Sequence, residues 1–325
     1  MPMPIIRFNR LVSRLKTQNT RYNSTSRFSI STRTEEPARS GPPPIRVALT
    51  EQAGRGVFAT RHIAAGELIH TAKPLVSHPS LSAVGTVCYN CLKRLGPTQI
   101  RDSTRFGFCS EECEGTAKVF SDVESKADWS EFDEYCRAQG LKYPLLVKRF
   151  ACMVIAGAAS AESLHILQPA ILSHEMVLEF GKGFNLLWSS FARTSIAEEQ
   201  RAFLTKQWYN DVLARIRINA FRIELAIGSY EDLLSSAAAC VEGEAAVGNA
   251  VYVLPSFYNH DCDPNMHIVW IENTNARLKA LRDVEEGEEL RICYIDASMD
   301  RDARQNLLLH GFGFRCNCLR CLSGD

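Results

Sequence analysis

Two regions of short, apolar-alternating runs flank a long stretch with helical periodicity. Ile45–Thr50, Gly56–Ala59 and Leu68–Ser77 read as strands, with Ala65-Gly66-Glu67 as a turn. Residues 116–217 read as helical. Asp122–Arg137 is charged along its length and is expected to face solvent. Lys142–Ala159 places Leu146, Phe150 and Met153 on one buried face. Ile196–Ile216 carries Phe203, Leu204, Trp208, Val212 and Ile216 as a stripe. The β pattern then returns. Asn219-Ala220-Phe221 opens a strand, Val241–Gly248 is a polar loop, and Val251–Leu254 and Ile268–Ile271 are strands. Asn273–Asn275 makes a hairpin turn into Arg277–Leu281, and the acidic turn Asp283–Glu289 leads to a strand at Leu290–Tyr294. Residues 301–309 form a short helix. The longest apolar run, Phe150–Ala159, is too short to span a bilayer and reads as a buried helix. The fold class is therefore α+β, and no membrane association is expected.

The polar block Asn259-His260-Asp261-Cys262-Asp263-Pro264-Asn265 lies between two apolar runs and reads as a loop held by strands, where functional groups concentrate. Its cysteine has partners far along the chain. Cys316, Cys318 and Cys321 cannot complete a four-coordinate zinc site by themselves, and Cys262 is the natural fourth ligand. A second set, Cys88-x-x-Cys91 and Cys109-x-x-x-Cys113, has the spacing of a closed Cys₄ zinc site, which is structural because no position is left open. Of the 12 cysteines these two sets take eight, leaving Cys136, Cys152, Cys240 and Cys293 scattered. With no apolar secretory region at the N-terminus, metal binding is favoured over disulfides. His165, His174 and His267 read as structural. Gly54-Arg55-Gly56 sits between two strands. Read alone it is a hairpin turn, although glycine lets the backbone approach a ligand and Arg55 has the reach to meet a carboxylate.

The zero net charge, 37 basic against 37 acidic residues, conceals an asymmetry. Residues 1–34 hold six Arg and one Lys with no acid, so the remainder carries 30 basic and 37 acidic residues. A mildly acidic body argues against direct nucleic-acid binding and suits a cationic partner such as a Lys-rich peptide. The leader, residues 1–40, is rich in Arg, Ser and Thr and ends in a Pro/Gly-rich linker. Ile5, Ile6, Leu11 and Leu15 provide one apolar side of a short basic helix. That composition is transit-peptide-like and points to a mitochondrion or plastid. The alternative is a basic tail acting as a weak nuclear signal. The oligomeric state is not legible.

Four motifs in order resemble those of SET-domain protein lysine methyltransferases. Asn259 to Asn265 resembles the family's Asn-His-Ser-Cys-x-Pro-Asn signature, and Glu286–Asp296 its catalytic-tyrosine segment. Cys316-x-Cys318-x-x-Cys321 resembles its post-SET zinc motif, and Gly54–Ala59 its opening Gly-x-Gly motif. The Cys88–Cys113 set resembles the MYND zinc module of the SMYD-like and plant trithorax-related branch. MYND modules carry seven cysteines and a histidine, whereas only four ligands stand here. The resemblance implies a SET-domain β-fold with zinc-binding and helical inserts and a post-SET zinc tail. Its parts would be a leader at 1–40, an N-terminal SET part at 41–87, a Cys₄ insert at 88–115, a helical insert at 116–217, a C-terminal SET part at 218–299 and a post-SET tail at 300–325.

It further implies S-adenosylmethionine and two structural zinc ions as cofactors, with a lysine-containing protein, a histone tail or an organellar protein, as substrate. By that resemblance Gly54, Arg55, Gly56, Asn219, Asn259, His260, Tyr294 and Phe314 contact the cofactor, and Phe221 and Phe312 line the lysine channel. Tyr294 orients the amine. The chemistry is demanding, because a lysine with pKa near 10.4 must lose its proton at about 4–5 kcal/mol at pH 7. Desolvation beside a sulfonium lowers that pKa, and alignment supplies much of the remaining acceleration. The rival function is a catalytically silent SET-like module that serves as an interaction scaffold.

Overall fold

In the computed structural model, described for residues 41–96, 99, 106–226 and 246–325, Pro43–Asp325 forms one compact unit. The leader expected to be a targeting segment, most of the polar loop Val241–Gly248, and Cys240 lie outside the described residues.

Among the described residues the strands form three small sheets. The first joins β1 (Ile45–Leu49), β2 (Arg55–Ala59), β10 (Glu289–Ile292) and β7 (Asn259–His260) in the order β1-β2-β10-β7. The second is β3 (Leu68–Ala72), β9 (Ala276–Ala280) and β8 (Met266–Val269), and the third β4 (Val76–Pro79), β6 (Ala246–Val251) and β5 (Ala220–Glu224). The single strand expected over Leu68–Ser77 is two, interrupted at Pro74, which cannot donate to a ladder. The strand expected over Val251–Leu254 lies earlier, and Tyr252–Leu254 instead runs into a 3₁₀ turn at Pro255–Phe257.

Among the described residues the helices are α1 (Glu111–Glu124), α2 (Ser130–Ala138), α3 (Tyr143–Ile155), α4 (His174–Ala192), α5 (Glu198–Arg201), α6 (Lys206–Asn219), α7 (Arg301–Phe312) and α8 (Leu319–Leu322). The Ile196–Ile216 helix is broken into α5 and α6, where Thr205 starts a new N-terminus by accepting from the Trp208 N–H. The stripe is as expected, with Leu204, Trp208, Val212 and Ile216 buried.

Asp122–Arg137 is not one solvent-facing helix. It spans the end of α1 and most of α2, and Val123, Glu124, Trp129, Phe132 and Cys136 are all buried against α3 and α4. Charge misled the reading because one carboxylate there is internal. Glu124, 1% exposed, accepts a 2.6 Å hydrogen bond from the Tyr89 hydroxyl and lies 3.3 Å from Lys148 Nζ. Lys148 also donates to Asp133 at 2.9 Å. Arg149 is clamped between the Tyr89 and Phe120 rings, 4.1 Å from each centroid, and donates to the carbonyls of Ser77 and Tyr89. This is why α3 is buried on nearly every side and not on one face. Burial opposes the Glu124 charge, but Lys148 and Arg149 outweigh it and hold the carboxyl below its usual range. Removing one member of such a network strands the others, a loss on the order of 3–5 kcal/mol. Glu124→Ala is accordingly expected to lower the urea midpoint steeply, whereas an exposed control such as Glu199→Ala stays near the parent.

No described helix is long and apolar enough to cross a membrane.

Candidate active site

Sheet order brings three of the four motifs together. Strand β10 lies between β2, which carries the glycine motif, and β7, which carries Asn259 and His260. Asn259 and His260 are thus a two-residue strand parallel to β10, paired with Arg291 and Ile292, and not loop residues as expected. Asn265, at the far end of the motif, pegs this arrangement. Its carboxamide accepts from the Arg291 N–H at 2.8 Å and donates to the Glu289 carbonyl at 2.8 Å.

At the glycine motif the Asn259 side chain donates to the Arg55 carbonyl at 3.2 Å and to Glu289 Oε1 at 2.7 Å. A Cβ on Gly56 would meet Glu289 Oε1 at 2.6 Å and Thr50 Cγ2 at 2.7 Å, so any larger residue forces those side chains to shift. Gly54 adopts φ +72°, the left-handed region. Gly56→Ala is expected to push the turn off Asn259 and weaken S-adenosylhomocysteine binding by at least tenfold in calorimetry, on the scale of a 1–3 kcal/mol overpacking penalty.

The Arg55 guanidinium donates to the Ile166 carbonyl and lies over the Phe257 ring, 4.5 Å from its centroid. Two residues on, the Gln168 carbonyl accepts from Asn219 Nδ2 at 2.9 Å. The segment 166–168 therefore ties Arg55 to Asn219, which closes α6 at the edge of the β region. Sequence offered no signal for that segment, since the Arg55–Ile166 contact joins residues 111 positions apart.

Tyr294 follows β10. Its hydroxyl donates to the Tyr258 carbonyl at 2.7 Å, and its backbone N–H donates to His260 Nδ1 at 3.1 Å. Rings of Phe312, His260 and Phe314 surround it at 5.0, 5.3 and 6.4 Å between centroids. Burial pushes the phenol above its ordinary range, so it stays a proton donor. Tyr258 escaped the sequence reading although it precedes Asn259. Its side chain is fully buried, and its hydroxyl meets His70 Nε2 at 2.9 Å. Burial also draws the His70 and His260 imidazoles down to about 4. Phe221 is not brought to this cluster by its ring contacts, which are with Tyr252 at 5.6 Å and Trp270 at 6.2 Å.

Both cysteine sets converge. Within each of Cys88, Cys91, Cys109, Cys113 and Cys262, Cys316, Cys318, Cys321 the four sulfurs lie within 4.8 Å of one another. Sulfurs bound tetrahedrally at 2.3 Å stand about 3.8 Å apart. Cys91–Cys109 and Cys262–Cys321 are at 3.6 Å and Cys262–Cys316 at 3.9 Å, so both sets fit zinc. The Cys91 thiol donates to Cys88, drawing that thiol down while Cys91 itself is pushed up, so without a metal the pair shares a proton that metal binding would release. Around the second set Arg304, fully buried, directs Nη2 to Cys321 Sγ at 3.9 Å, a cation that offsets thiolate charge. Gln305 grips the tail, donating to the Cys316 carbonyl at 2.6 Å and accepting from its N–H at 3.0 Å.

The chain matches the SET domain family over residues 54–295 and belongs to that family. It is 59% identical over 320 residues to the histone-lysine N-methyltransferase ATXR4 of Arabidopsis thaliana, covering 98% of each chain. More distantly, it is 27% identical over 291 residues to the histone-lysine N-methyltransferase SMYD3 of Homo sapiens, covering 85% of this chain and 61% of that one. It is 24% identical over 272 residues to a SET and MYND domain-containing protein of Dictyostelium discoideum, covering 79% and 77%. The family read from the motifs is the family matched.

Proposed function

We propose that this chain is an S-adenosylmethionine-dependent protein-lysine N-methyltransferase acting on histone lysine. The observation that carries the reading is the Tyr294 hydroxyl, anchored on the Tyr258 carbonyl inside a ring of His260, Phe312 and Phe314. When bound, the cofactor would supply an electrophilic methyl on a sulfonium whose leaving group is a neutral thioether. The chain's residues do the rest. The close-packed turn at Gly54-Arg55-Gly56, with Asn259 and His260, forms the cofactor wall. The aromatic enclosure excludes water and disfavours a charged amine, which gives up its proton to solvent before transfer. The Tyr294 hydroxyl and the Tyr258 carbonyl orient the neutral amine for in-line displacement.

The identity to a relative named as a histone-lysine methyltransferase over nearly the full chain supports the histone substrate. The basic leader, free of acids over residues 1–34, favours a second reading, in which the lysine belongs to a mitochondrial or plastid protein. Two zinc ions, one in each cysteine set, complete the proposal as structural elements.

The test is methyl transfer by the full chain from radiolabelled S-adenosylmethionine, offered core histones and, separately, an organellar extract. Labelled histone lysine is the expected result. Label confined to the extract would move the substrate to the organelle. No label in either, together with no cofactor binding by calorimetry, would overturn the enzyme and leave the scaffold reading.

A further inference from the structure

His260 stands between the two halves of the site. Its Nδ1 lies 3.1 Å from the backbone nitrogen of Tyr294, and its Nε2 lies 3.3 Å from Cys262 Sγ. A backbone N–H can only donate, so Nδ1 is the acceptor and carries no proton. The proton of the neutral ring is then on Nε2, aimed at a sulfur of the Cys262, Cys316, Cys318, Cys321 set. His260 is not itself a ligand of that set. It is the outer partner of one ligand and the inner partner of the tyrosine.

We propose that His260 couples metal retention by this cysteine set to the placement of Tyr294, so that zinc and cofactor each strengthen the hold of the other. The inference rests on the methyltransferase reading above. An N–H donated to a zinc-bound thiolate draws charge off the sulfur and fixes the orientation of the donor ring. A fixed ring presents a fixed acceptor to the Tyr294 N–H, and that peptide sets where the phenol stands against the Tyr258 carbonyl. The ring has little freedom to do otherwise. It is 8% exposed, and it packs 5.3 Å from Tyr294 and 6.0 Å from Phe314, which lies two residues before Cys316. Coupling between two sites is reciprocal. If zinc organises the cofactor side, bound cofactor must lower the zinc dissociation constant by the same factor, which slower release reports where zinc uptake is unchanged.

The two contacts can be removed one at a time. In His260→Asn the side-chain carbonyl can still accept from the Tyr294 N–H, but no donor reaches Cys262. In His260→Gln the amide can still donate toward Cys262, but the acceptor for Tyr294 is gone.

The experiment follows zinc release from the full chain into a colorimetric chelator, with and without saturating S-adenosylhomocysteine. Cys262→Ser identifies which release phase belongs to the tail set. For the parent, the ligand is expected to slow tail-zinc release by about tenfold, within the usual range for coupled sites, and to leave the Cys88-set zinc unchanged. Both His260 variants are expected to keep the Cys88-set zinc, as evidence of folding, and to bind the ligand more weakly than the parent in calorimetry, since His260 also walls the cofactor, with the ligand slowing tail-zinc release several-fold less than in the parent. The proposal is overturned if the ligand slows tail-zinc release in both variants as much as in the parent. It is also overturned if the parent binds the ligand with no change in release, or if a variant keeps both zinc ions but loses ligand binding altogether, which would make His260 a cofactor contact only. A parent that does not bind the ligand defeats the methyltransferase reading itself, a result that calorimetry reports separately.

Discussion

Tyr294→Phe is expected to lower kcat by about 10²–10³-fold, the scale of removing one preorganised hydrogen-bond donor from a water-excluded site. The variant keeps the ring, and with it the packing on Phe312, His260 and Phe314. It also keeps the backbone N–H that donates to His260. What it loses is the hydroxyl held at the Tyr258 carbonyl. Cofactor affinity should therefore stay near the parent value while turnover collapses. Single-turnover methyl transfer together with calorimetry separates the two. A variant that retained full turnover would remove Tyr294 from the chemistry. One that lost cofactor binding and turnover together would make it a packing residue.

Cys262→Ser is expected to release one of two zinc equivalents and to undock the C-terminal tail. Structural zinc contributes roughly 10–16 kcal/mol of binding free energy, far more than the few contacts that otherwise hold residues 313–325. Those contacts include the Gln305 grip on Cys316 and the Arg320 donations to the carbonyls of Cys262 and Ala297. Since Phe312 and Phe314 wall Tyr294, loss of the tail opens the enclosure. The measured outcomes should be one zinc per chain by atomic absorption, cofactor affinity weakened by at least tenfold, and turnover reduced more than in any surface variant. Retention of both zinc ions with full turnover would refute the assignment of Cys262.

The site was legible in parts, for reasons visible residue by residue. Cysteine spacing is a covalent-scale constraint, so Cys88, Cys91, Cys109 and Cys113 could be grouped by counting alone. Cys262 could be joined to Cys316, Cys318 and Cys321 because three thiolates leave zinc one ligand short. Tyr294, Asn259 and His260 were singled out by motif order, and the structure brings them together. Tyr258 was not, since it contributes a main-chain carbonyl, which any residue type would supply. The segment at Ile166 and Gln168 was hidden for the same reason. Glu124 was misread as solvated, because whether a carboxylate is internal depends on Lys148 and Arg149 arriving from another helix.

From its residues alone the chain specified an α+β architecture, two four-cysteine sets and the family, and singled out Tyr294 as the residue proposed to orient the amine. These follow from local periodicity, side-chain chemistry and spacing, all of which are properties of the linear order. Tertiary structure alone decided that β10 runs between the glycine strand and the Asn-His strand. It also decided that a carboxylate and two cations share one buried network, and that the His260 ring touches a cysteine on one side and the tyrosine backbone on the other. Each of these depends on long-range pairing, where the burial and direction of a group are set by elements remote in sequence.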